Sequence, residues 1–322
     1  MQIQNFVNIK LLKNRSDIGA GTRGSDLGID ALEIAAINQN NDFFHRHLFQ
    51  DIVTHNETIY QKNTNSFAQR IEHVAEQCNR VCEAVATTLH QNFFPIVLSG
   101  DHSSALGTIS GIKKAYPNKK MGVIWIDAHA DIHSPYTSPS GNIHGMPLAA
   151  ALGLDHAHIQ INEISDDTII HWTDLKNIGI DGPKLTPDHL VYLGLRDFEA
   201  AEKQVIEAES ISNYTVEQLR EQGIQNIITD AIKKLEDTDY FYVSFDVDSM
   251  DCDQISYGTG TPVKSGFLPD EINQILEQLL STKKVVCLEI AEINPLLDNK
   301  GNKMAETAFQ ILSNFEQQLT LL

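Results

Sequence analysis

The sequence is poor in cysteine, in basic residues and in long apolar runs. Only four of its 322 residues are cysteines, and none of them belongs to a Cys-x-x-Cys pair. A disulfide scaffold is therefore not expected in a chain of this size. Cys78 and Cys82 lie one helical turn apart, and we interpret them as two small buried apolar side chains.

Basic residues are scarce relative to acidic ones. The chain has 24 Lys and Arg residues against 43 Asp and Glu residues, which gives a formal net charge of -19. A surface this acidic repels a phosphate backbone, so nucleic acid is not an expected partner. The same excess of carboxylates is compatible with cationic substrates and with divalent metals.

Long apolar segments are also missing. No run approaches the ~18 apolar residues of a membrane span, and the first 15 residues (MQIQNFVNIKLLKNR) hold no segment typical of a secretory signal. We therefore expect no membrane partner and a cytoplasmic location.

Short apolar runs, separated by stretches of helical periodicity, recur along the chain. Five of them are predicted to be buried strands: residues 94–98, 123–126, 190–193, 241–245 and 285–288. This alternation predicts a parallel sheet with helices on both faces. No repeat or linker divides the chain, so a single domain over residues 1–322 is expected.

Two helices and two loops are predicted between these strands. Residues 66–91 have apolar side chains at helical spacing, and residues 268–282 begin with a proline and a glutamate suited to a first helical turn. Residues 137–141 and the polar stretch 155–174 are predicted to be loops.

Polar clusters directly follow three of the predicted strands. Residues 99–103 (SGDHS) follow the first, residues 127–131 (DAHAD) the second, and Asp246 and Asp248 the fourth. In open α/β sheets, ligands bind in the crevice beyond the carboxyl ends of the strands. We therefore expect the three clusters to converge there, with alternate residues of an extended segment 127–131 facing one point.

Four carboxylates and two imidazoles gathered beyond apolar strands need compensating cations. One such pair alone commonly caps a turn, but three clusters that each follow a strand favour a site for two divalent metals. Ligands that are mostly oxygen favour Mn²⁺ over structural zinc. The candidate ligands are His102, Asp127, His129, Asp131, Asp246 and Asp248.

Five segments, in this order, resemble those of the arginase (ureohydrolase) family: SGDHS at 99–103, DAHADIHSPYTSPSGNIHGMP at 127–147, SFDVDSMD at 244–251, GTGTPV at 258–263 and EINP at 292–295. The resemblance implies a three-layer α/β/α domain with a mostly parallel sheet of about eight strands. It also implies two Mn²⁺ ions held by the same six residues. In such enzymes a hydroxide that bridges the metals, oriented by Asp131, attacks the guanidinium carbon of L-arginine and yields L-ornithine and urea.

Further roles follow only from this resemblance. His144 would shuttle protons, Glu292 would pair with the guanidinium, and Thr261 would line the same pocket. For the amino-acid end of the substrate, the resemblance implies Ser140 and Asn142 at the carboxylate and Glu199 and Glu202 at the ammonium group. The alternative for Glu199 and Glu202 is an exposed acidic face at a helix start. A trimer or hexamer is also implied.

The sequence departs from the family pattern at four places. Ser99 replaces a glycine, His133 stands where many arginases have asparagine, and Glu199 is one methylene longer than the usual aspartate. Cys252 and Asp253 replace an expected proline, with one residue inserted before GTGTP. His133 is therefore predicted to take part in substrate binding, with an effect on preference that the sequence leaves open.

Three other functions remain as alternatives. A relative that acts on agmatine, guanidinobutyrate or N-formimidoylglutamate would share the metal site and differ in its recognition loops. A catalytically silent family member would not need both His144 and Glu292. A related two-metal hydrolase of the deacetylase type would need a zinc site with fewer carboxylates and a nearby tyrosine.

Overall fold

One parallel sheet of eight strands organises the fold. The computed structural model describes residue 6, residues 8–63 and residues 65–321; the rest of the predicted domain 1–322 lies outside the described residues. The strands are β1 (Asn8–Asn14), β2 (Leu48–Asp51), β3 (Phe93–Ser99), β4 (Met121–Ile126), β5 (Leu190–Leu193), β6 (Ser212–Tyr214), β7 (Tyr240–Asp246) and β8 (Val285–Ala291).

The strand order is β2-β1-β3-β8-β7-β4-β5-β6, and every neighbouring pair is parallel. The four strands β3, β8, β7 and β4 form the middle of the sheet, so their carboxyl ends lie side by side. The three polar clusters and the EINP segment follow these four strands.

Eleven α-helices of the described chain surround the sheet. They are α1 (Gly28–Asn38), α2 (Phe43–Arg46), α3 (Ile71–His90), α4 (Ala105–Ala115), α5 (Pro147–Leu152), α6 (Asp166–Lys176), α7 (Ala200–Ala208), α8 (Val216–Gln222), α9 (Ile224–Lys234), α10 (Pro269–Ser281) and α11 (Lys303–Thr320). In this part of the chain, no helix is both long and apolar enough to cross a membrane.

The core is divided between the two faces of the sheet, because successive strand residues point to opposite sides. Ile96 of β3 belongs to one apolar cluster, with Ile275 of α10 and Phe309 of α11. The next residue, Val97, belongs to the other cluster, with Val81 of α3. The predicted three-layer α/β/α fold is thereby confirmed.

The five predicted strands are all present, but three others were missed. β1 (NIKLLKN) mixes lysine and asparagine with apolar residues, and Lys13 in it pairs with Glu33 at 2.7 Å. β2 is an outer strand with largely exposed side chains, and β6 has only three residues. Short or polar strands at the sheet margins leave no continuous apolar run in the sequence.

Two predicted segments need correction. The helix predicted for residues 66–91 begins at Ile71, because Arg70 is in the left-handed region (φ 57°) and residues before it pack on the 137–141 loop, where Gln69 N donates to Gly141 O at 2.7 Å. The loop predicted for residues 155–174 was wrong from residue 166 onward. Ser165 caps α6 by accepting from Thr168 N, and Trp172 is buried.

Helices α3 and α4 approach each other closely through glycine. A Cβ added to Gly107 of α4 would lie 2.4 Å from the backbone oxygen of Cys78 and 2.8 Å from Cβ of Val81. Cys78 and Cys82 are buried in this contact, which agrees with their interpretation as apolar core residues.

We expect Gly107→Ala to lower the free energy of unfolding. Overpacking typically costs about 1–3 kcal/mol, which exceeds the ~1 kcal/mol that alanine gains in helix propensity. Urea denaturation measures the difference. Gly145→Ala is the matched control, since a Cβ there meets no atom within 4 Å. Equal stabilities of the two variants would contradict the close helix contact.

Candidate active site

A cavity of about 320 Å³ opens at the carboxyl ends of the central strands. Its walls include every predicted site residue except Asp127, which is 1% exposed. The structure therefore brings together residues that are up to 190 positions apart in the sequence, as from His102 to Glu292. The predicted residues that line the cavity are His102, His129, Asp131, His133, Ser140, Asn142, His144, Glu199, Glu202, Asp246, Asp248, Thr261 and Glu292.

The first ligand cluster surrounds the Nδ1 atom of His102. This atom lies 3.0 Å from Asp127 Oδ2, 3.1 Å from Asp131 Oδ2 and 3.1 Å from Asp246 Oδ2. It is buried and nevertheless has no hydrogen-bond partner of acceptable geometry. Buried polar groups are almost always satisfied, so four atoms that converge without a hydrogen bond fit a shared cation.

The tautomer of His102 also fits a cation. Its Nε2 lies 2.7 Å from Ser244 Oγ, a distance suited to an N–H donor, which leaves the Nδ1 lone pair free to bind. The ring stacks on Trp125 with centroids 4.1 Å apart and planes 12° from parallel. The imidazole is therefore held in place from its edge and from its face.

The second ligand cluster surrounds Nδ1 of His129. This atom lies 2.9 Å from Asp248 Oδ2 and 3.6 Å from Asp127 Oδ1. Asp248 Oδ2 also accepts from Thr261 Oγ1 at 3.1 Å. Asp127 thus takes part in both clusters, and its Oδ2 is a second buried atom with no hydrogen-bond partner.

Turns, and not an extended segment, make the acids converge, which corrects the predicted geometry of residues 127–131. Strand β4 ends at Ile126, and Asp127 Oδ1 accepts from His129 N at 2.7 Å. Asp131 then adopts φ 49°. A left-handed backbone is uncommon for residues other than glycine, although aspartate adopts it more readily than most, and the surrounding structure must hold it in place.

Burial and mutual repulsion govern the acidity of these groups in the metal-free protein. Burial, together with the charge of Asp127, raises the pKa of Asp131 to about 6. Burial and the charges of Asp248 and Asp127 hold the pKa of Asp246 well above its usual value. Burial opposes protonation of His102, but its carboxylate neighbours raise its pKa well above the usual value. Protons on these groups compensate charge in the place that divalent cations would take.

Glu292 and His144 contact each other at the side of the cavity. Glu292 adopts φ 67°, and its Oε1 lies 3.1 Å from His144 Nδ1 and accepts from His102 N at 2.9 Å. Burial lowers the pKa of His144, but the hydrogen bond to Glu292 and its charge outweigh this and raise the pKa to about 9. His144 therefore holds a proton near neutral pH in the metal-free protein.

The outer part of the cavity is lined by the residues that are predicted to bind the amino-acid end of the substrate. Ser140 is exposed, its Oγ accepts from Asn142 N at 3.2 Å, and Asn142 Oδ1 is buried without a hydrogen-bond partner. Across from this loop, Glu202 is only 4% exposed and accepts from Glu199 N at 3.0 Å. The two glutamates therefore cap α7 and face the cavity at once, so they are not a purely exposed acidic face.

His133 has a partner on each ring nitrogen. Nε2 lies 3.0 Å from Glu199 Oε2 and 3.5 Å from Glu202 Oε2, and Nδ1 lies 3.1 Å from Thr137 Oγ1. The imidazole thus joins the loop that follows β4 to the start of α7.

The sequence-based predictions missed several residues of the site. Asp197 lines the cavity, with Oδ2 3.8 Å from His129 Nε2. Ser244 and Trp125 hold His102. Ser244 had a detectable signal, since it precedes Asp246 by two residues on one strand and so shares its face. Trp125 has the same spacing before Asp127, whereas Asp197 had no signal, because it meets the site only through the fold.

Comparisons with known proteins identify the family of this chain. The family model described as "Arginase family" matches residues 9–316. The chain belongs to the arginase family. It is 33% identical to the arginase of Bacillus caldovelox over 301 residues (92% of this chain, 94% of that one) and 34% identical to the arginase of Bacillus subtilis over 304 residues, with the same coverage.

Solved arginase structures share the fold along nearly the whole chain. The arginase of Bacillus caldovelox superposes with a TM-score of 0.82 at 32% identity and covers 98% of both chains. The arginase of Entamoeba histolytica, solved in complex with L-ornithine, gives a TM-score of 0.81 at 27% identity, covering 98% of this chain and 99% of that one. A formimidoylglutamase from Bacillus subtilis, at 18% identity and a TM-score of 0.74, covers 100% of this chain and 88% of that one and shares the fold alone.

Membership of the arginase family confirms the predicted resemblance and the predicted class of enzyme. The protein is a hydrolase that acts on guanidino C–N bonds. A two-metal hydrolase of the deacetylase type is thereby set aside.

Divalent cations should stabilise this arginase-family fold, because they would relieve the repulsion among its clustered carboxylates. A ligand at 100 times its Kd adds about 2.7 kcal/mol to the free energy of unfolding. Differential scanning fluorimetry of chelator-treated protein should therefore show a higher Tm with added Mn²⁺.

Asp127→Asn should remove most of this rise, since Asp127 belongs to both clusters. Asp237→Asn is the matched control and should keep the rise in Tm, because Asp237 is an exposed aspartate that precedes β7 and pairs with Lys120. A rise of equal size in both variants would contradict a cation site at Asp127.

Proposed function

We propose that the protein is a manganese-dependent arginase that hydrolyses L-arginine to L-ornithine and urea, and that it acts as a single domain. The observation that carries the proposal is the sharing of Asp127 between two ligand clusters that open into the same cavity as Glu292. A relative at 27% identity, covering 98% of this chain, was solved with L-ornithine, the product of this reaction.

Two ions fit the ligand inventory. His102, Asp127, Asp131 and Asp246 would hold one ion, and Asp127, His129 and Asp248 the other. Carboxylate oxygens outnumber imidazole nitrogens, which favours Mn²⁺ over zinc. When bound, a pair of divalent cations lowers the pKa of water, so that hydroxide is available near neutral pH.

The remaining residues would bind substrate and move protons. Glu292 would pair with the guanidinium, and Asp131 would orient the attacking water. As the water oxygen joins the guanidinium carbon, the bond from that carbon to the side-chain nitrogen breaks. His144 would give its proton to the departing amine and recover one from solvent. Its position 3.1 Å from Glu292 supports this role.

The outer cavity would bind the amino-acid end of the substrate. Ser140 and Asn142 would donate to the α-carboxylate, and Glu199 and Glu202 would attract the α-ammonium, with Thr261 lining the inner wall. His133, which contacts both glutamates, would set their position. A cytoplasmic location and a trimer or hexamer stay predictions from the sequence.

Urea release by Mn²⁺-loaded protein tests the proposal directly. L-arginine should be the best of a panel that includes agmatine and guanidinobutyrate, which would also release urea, and N-formimidoylglutamate, whose hydrolysis is followed by release of formamide. Metal analysis of the active protein should give two Mn²⁺ per chain. Higher turnover of another panel member would assign the site to that amidine, and one ion per active chain would contradict the paired centre.

We expect His144→Asn to lower kcat by about 10- to 1,000-fold, because general acid–base help typically contributes on the order of 10² to 10⁴. Metal content should not change. His171→Asn, at a histidine paired with Glu72 outside the cavity, is the control and should keep full activity. A pH–rate profile that is the same for His144→Asn and the wild type would contradict the proton-transfer role.

The preference for arginine over agmatine should be at least ~100-fold in kcat/KM. Agmatine lacks the α-carboxylate, so Ser140 and Asn142, which would bind that group, would stay unpaired. Asn142→Ala should erode the preference mainly through KM, whereas His133→Asn should keep it.

Equal rates on arginine and agmatine would contradict the arginase assignment and leave the metal-dependent hydrolase intact. Loss of preference in His133→Asn alone would instead identify His133 as the residue that selects the head group.

A further inference from the structure

Glu289 is a fully buried carboxylate in the middle of β8, and none of the proposed steps uses it. Its Oε1 accepts from Ser99 Oγ at 2.6 Å, and its Oε2 accepts from Tyr242 Oη at 2.7 Å. A buried carboxylate is costly unless it is well paired, so these two donors stabilise it.

Two buried hydroxyl side chains, Tyr242 and Ser244, connect this carboxylate to His102. Tyr242 and Ser244 are two residues apart on β7, and Ser244 is the register partner of Glu289 on β8. The Tyr242 side chain interacts with that of Ser244, whose Oγ lies 2.7 Å from His102 Nε2. All of these side chains are buried.

The Glu289 carboxylate determines which side chain donates in each of these links, because it stands at one end of the series. A hydroxyl both donates and accepts, whereas a carboxylate only accepts. With Tyr242 donating to Glu289, its oxygen is free to accept from Ser244, and Ser244 then accepts from His102 Nε2–H. This order keeps a proton of His102 on Nε2, so Nδ1 is the nitrogen that would bind an ion held with the three nearby aspartates.

We propose that Glu289 is a positioning residue that fixes the tautomer and orientation of His102 through Tyr242 and Ser244, and so sets the affinity of the ion at His102. The inference rests on the proposed role of His102 as a metal ligand. It also gives Ser99, one of the departures from the family pattern, a function, since its hydroxyl is the second donor to Glu289.

Glu289→Gln tests the inference, because it preserves volume and replaces one accepting oxygen with an NH₂ donor. That donor disturbs the order of the chain where it faces Tyr242, but where it faces Ser99 it reverses only the Ser99 hydroxyl, so Tyr242→Phe is measured beside it. Partners behind a ligand histidine typically change metal affinity by 10- to 100-fold. Calorimetric titration of metal-free protein with Mn²⁺ should therefore show one of two ions bound 10- to 100-fold more weakly.

The same substitution in a His102→Ala protein distinguishes an effect on His102 from general damage to the fold. His102→Ala should leave the ion at His129, and adding Glu289→Gln to it should change the affinity of that ion by less than about threefold. Glu316→Gln is the matched control, since Glu316 is a buried carboxylate on α11 paired with His47 at 2.7 Å. It should leave both Mn²⁺ affinities unchanged.

Three outcomes overturn the inference. Unchanged affinities in both Glu289→Gln and Tyr242→Phe, with two ions bound by the wild type, overturn the inference and leave the proposed function intact. Equal weakening with and without His102 assigns Glu289 to the general stability of the sheet. A wild-type protein that binds no ion overturns the metal centre itself, and this inference with it. If Glu289→Gln does not fold, Tyr242→Phe breaks the same chain and should give the same selective weakening.

Discussion

The structure depends on compensation of the repulsion among the carboxylates at one edge of the sheet. Asp127, Asp131, Asp246 and Asp248 are all buried and lie close to two imidazoles. Without cations, this arrangement is held by protons on groups whose pKa values are shifted upward, as for Asp131 at about 6. Divalent ions are the counter-charge that we propose for this edge of the sheet, and they would also make hydroxide available for guanidinium hydrolysis.

The parallel sheet makes such a concentration of charge tolerable. The central strands are buried on both faces, so their ends are rigid, and short turns after them place each of the four acids within 3.1 Å of an imidazole nitrogen. Asp131 and Glu292 adopt left-handed backbone conformations that the surrounding packing must hold. Behind them, Ser244 and Trp125 fix the ring of His102. The packing of the scaffold thus holds a few oxygen and nitrogen atoms in fixed positions.

The sequence predicts the centre of this molecule better than its margins. Central strands such as β4 (MGVIWI) are continuous apolar runs, and the polar residues that follow them are visible without a structure. The margins lack this contrast, which is why β2 and β6 were missed. Helix α6 was taken for a loop because its polar residues outweighed the capping signal of Ser165. Glu289 was also invisible, because one acid within VVCLEIA gives no indication of its partners on β3 and β7.

Anomalous diffraction at the manganese absorption edge, from crystals grown with Mn²⁺, would test most directly whether Asp127 is shared by two ions. Two peaks are expected, one beside Nδ1 of His102 and one beside Nδ1 of His129, with an oxygen of Asp127 at bonding distance from each. A single peak, or a pair in which Asp127 contacts only one ion, would contradict the shared-carboxylate centre.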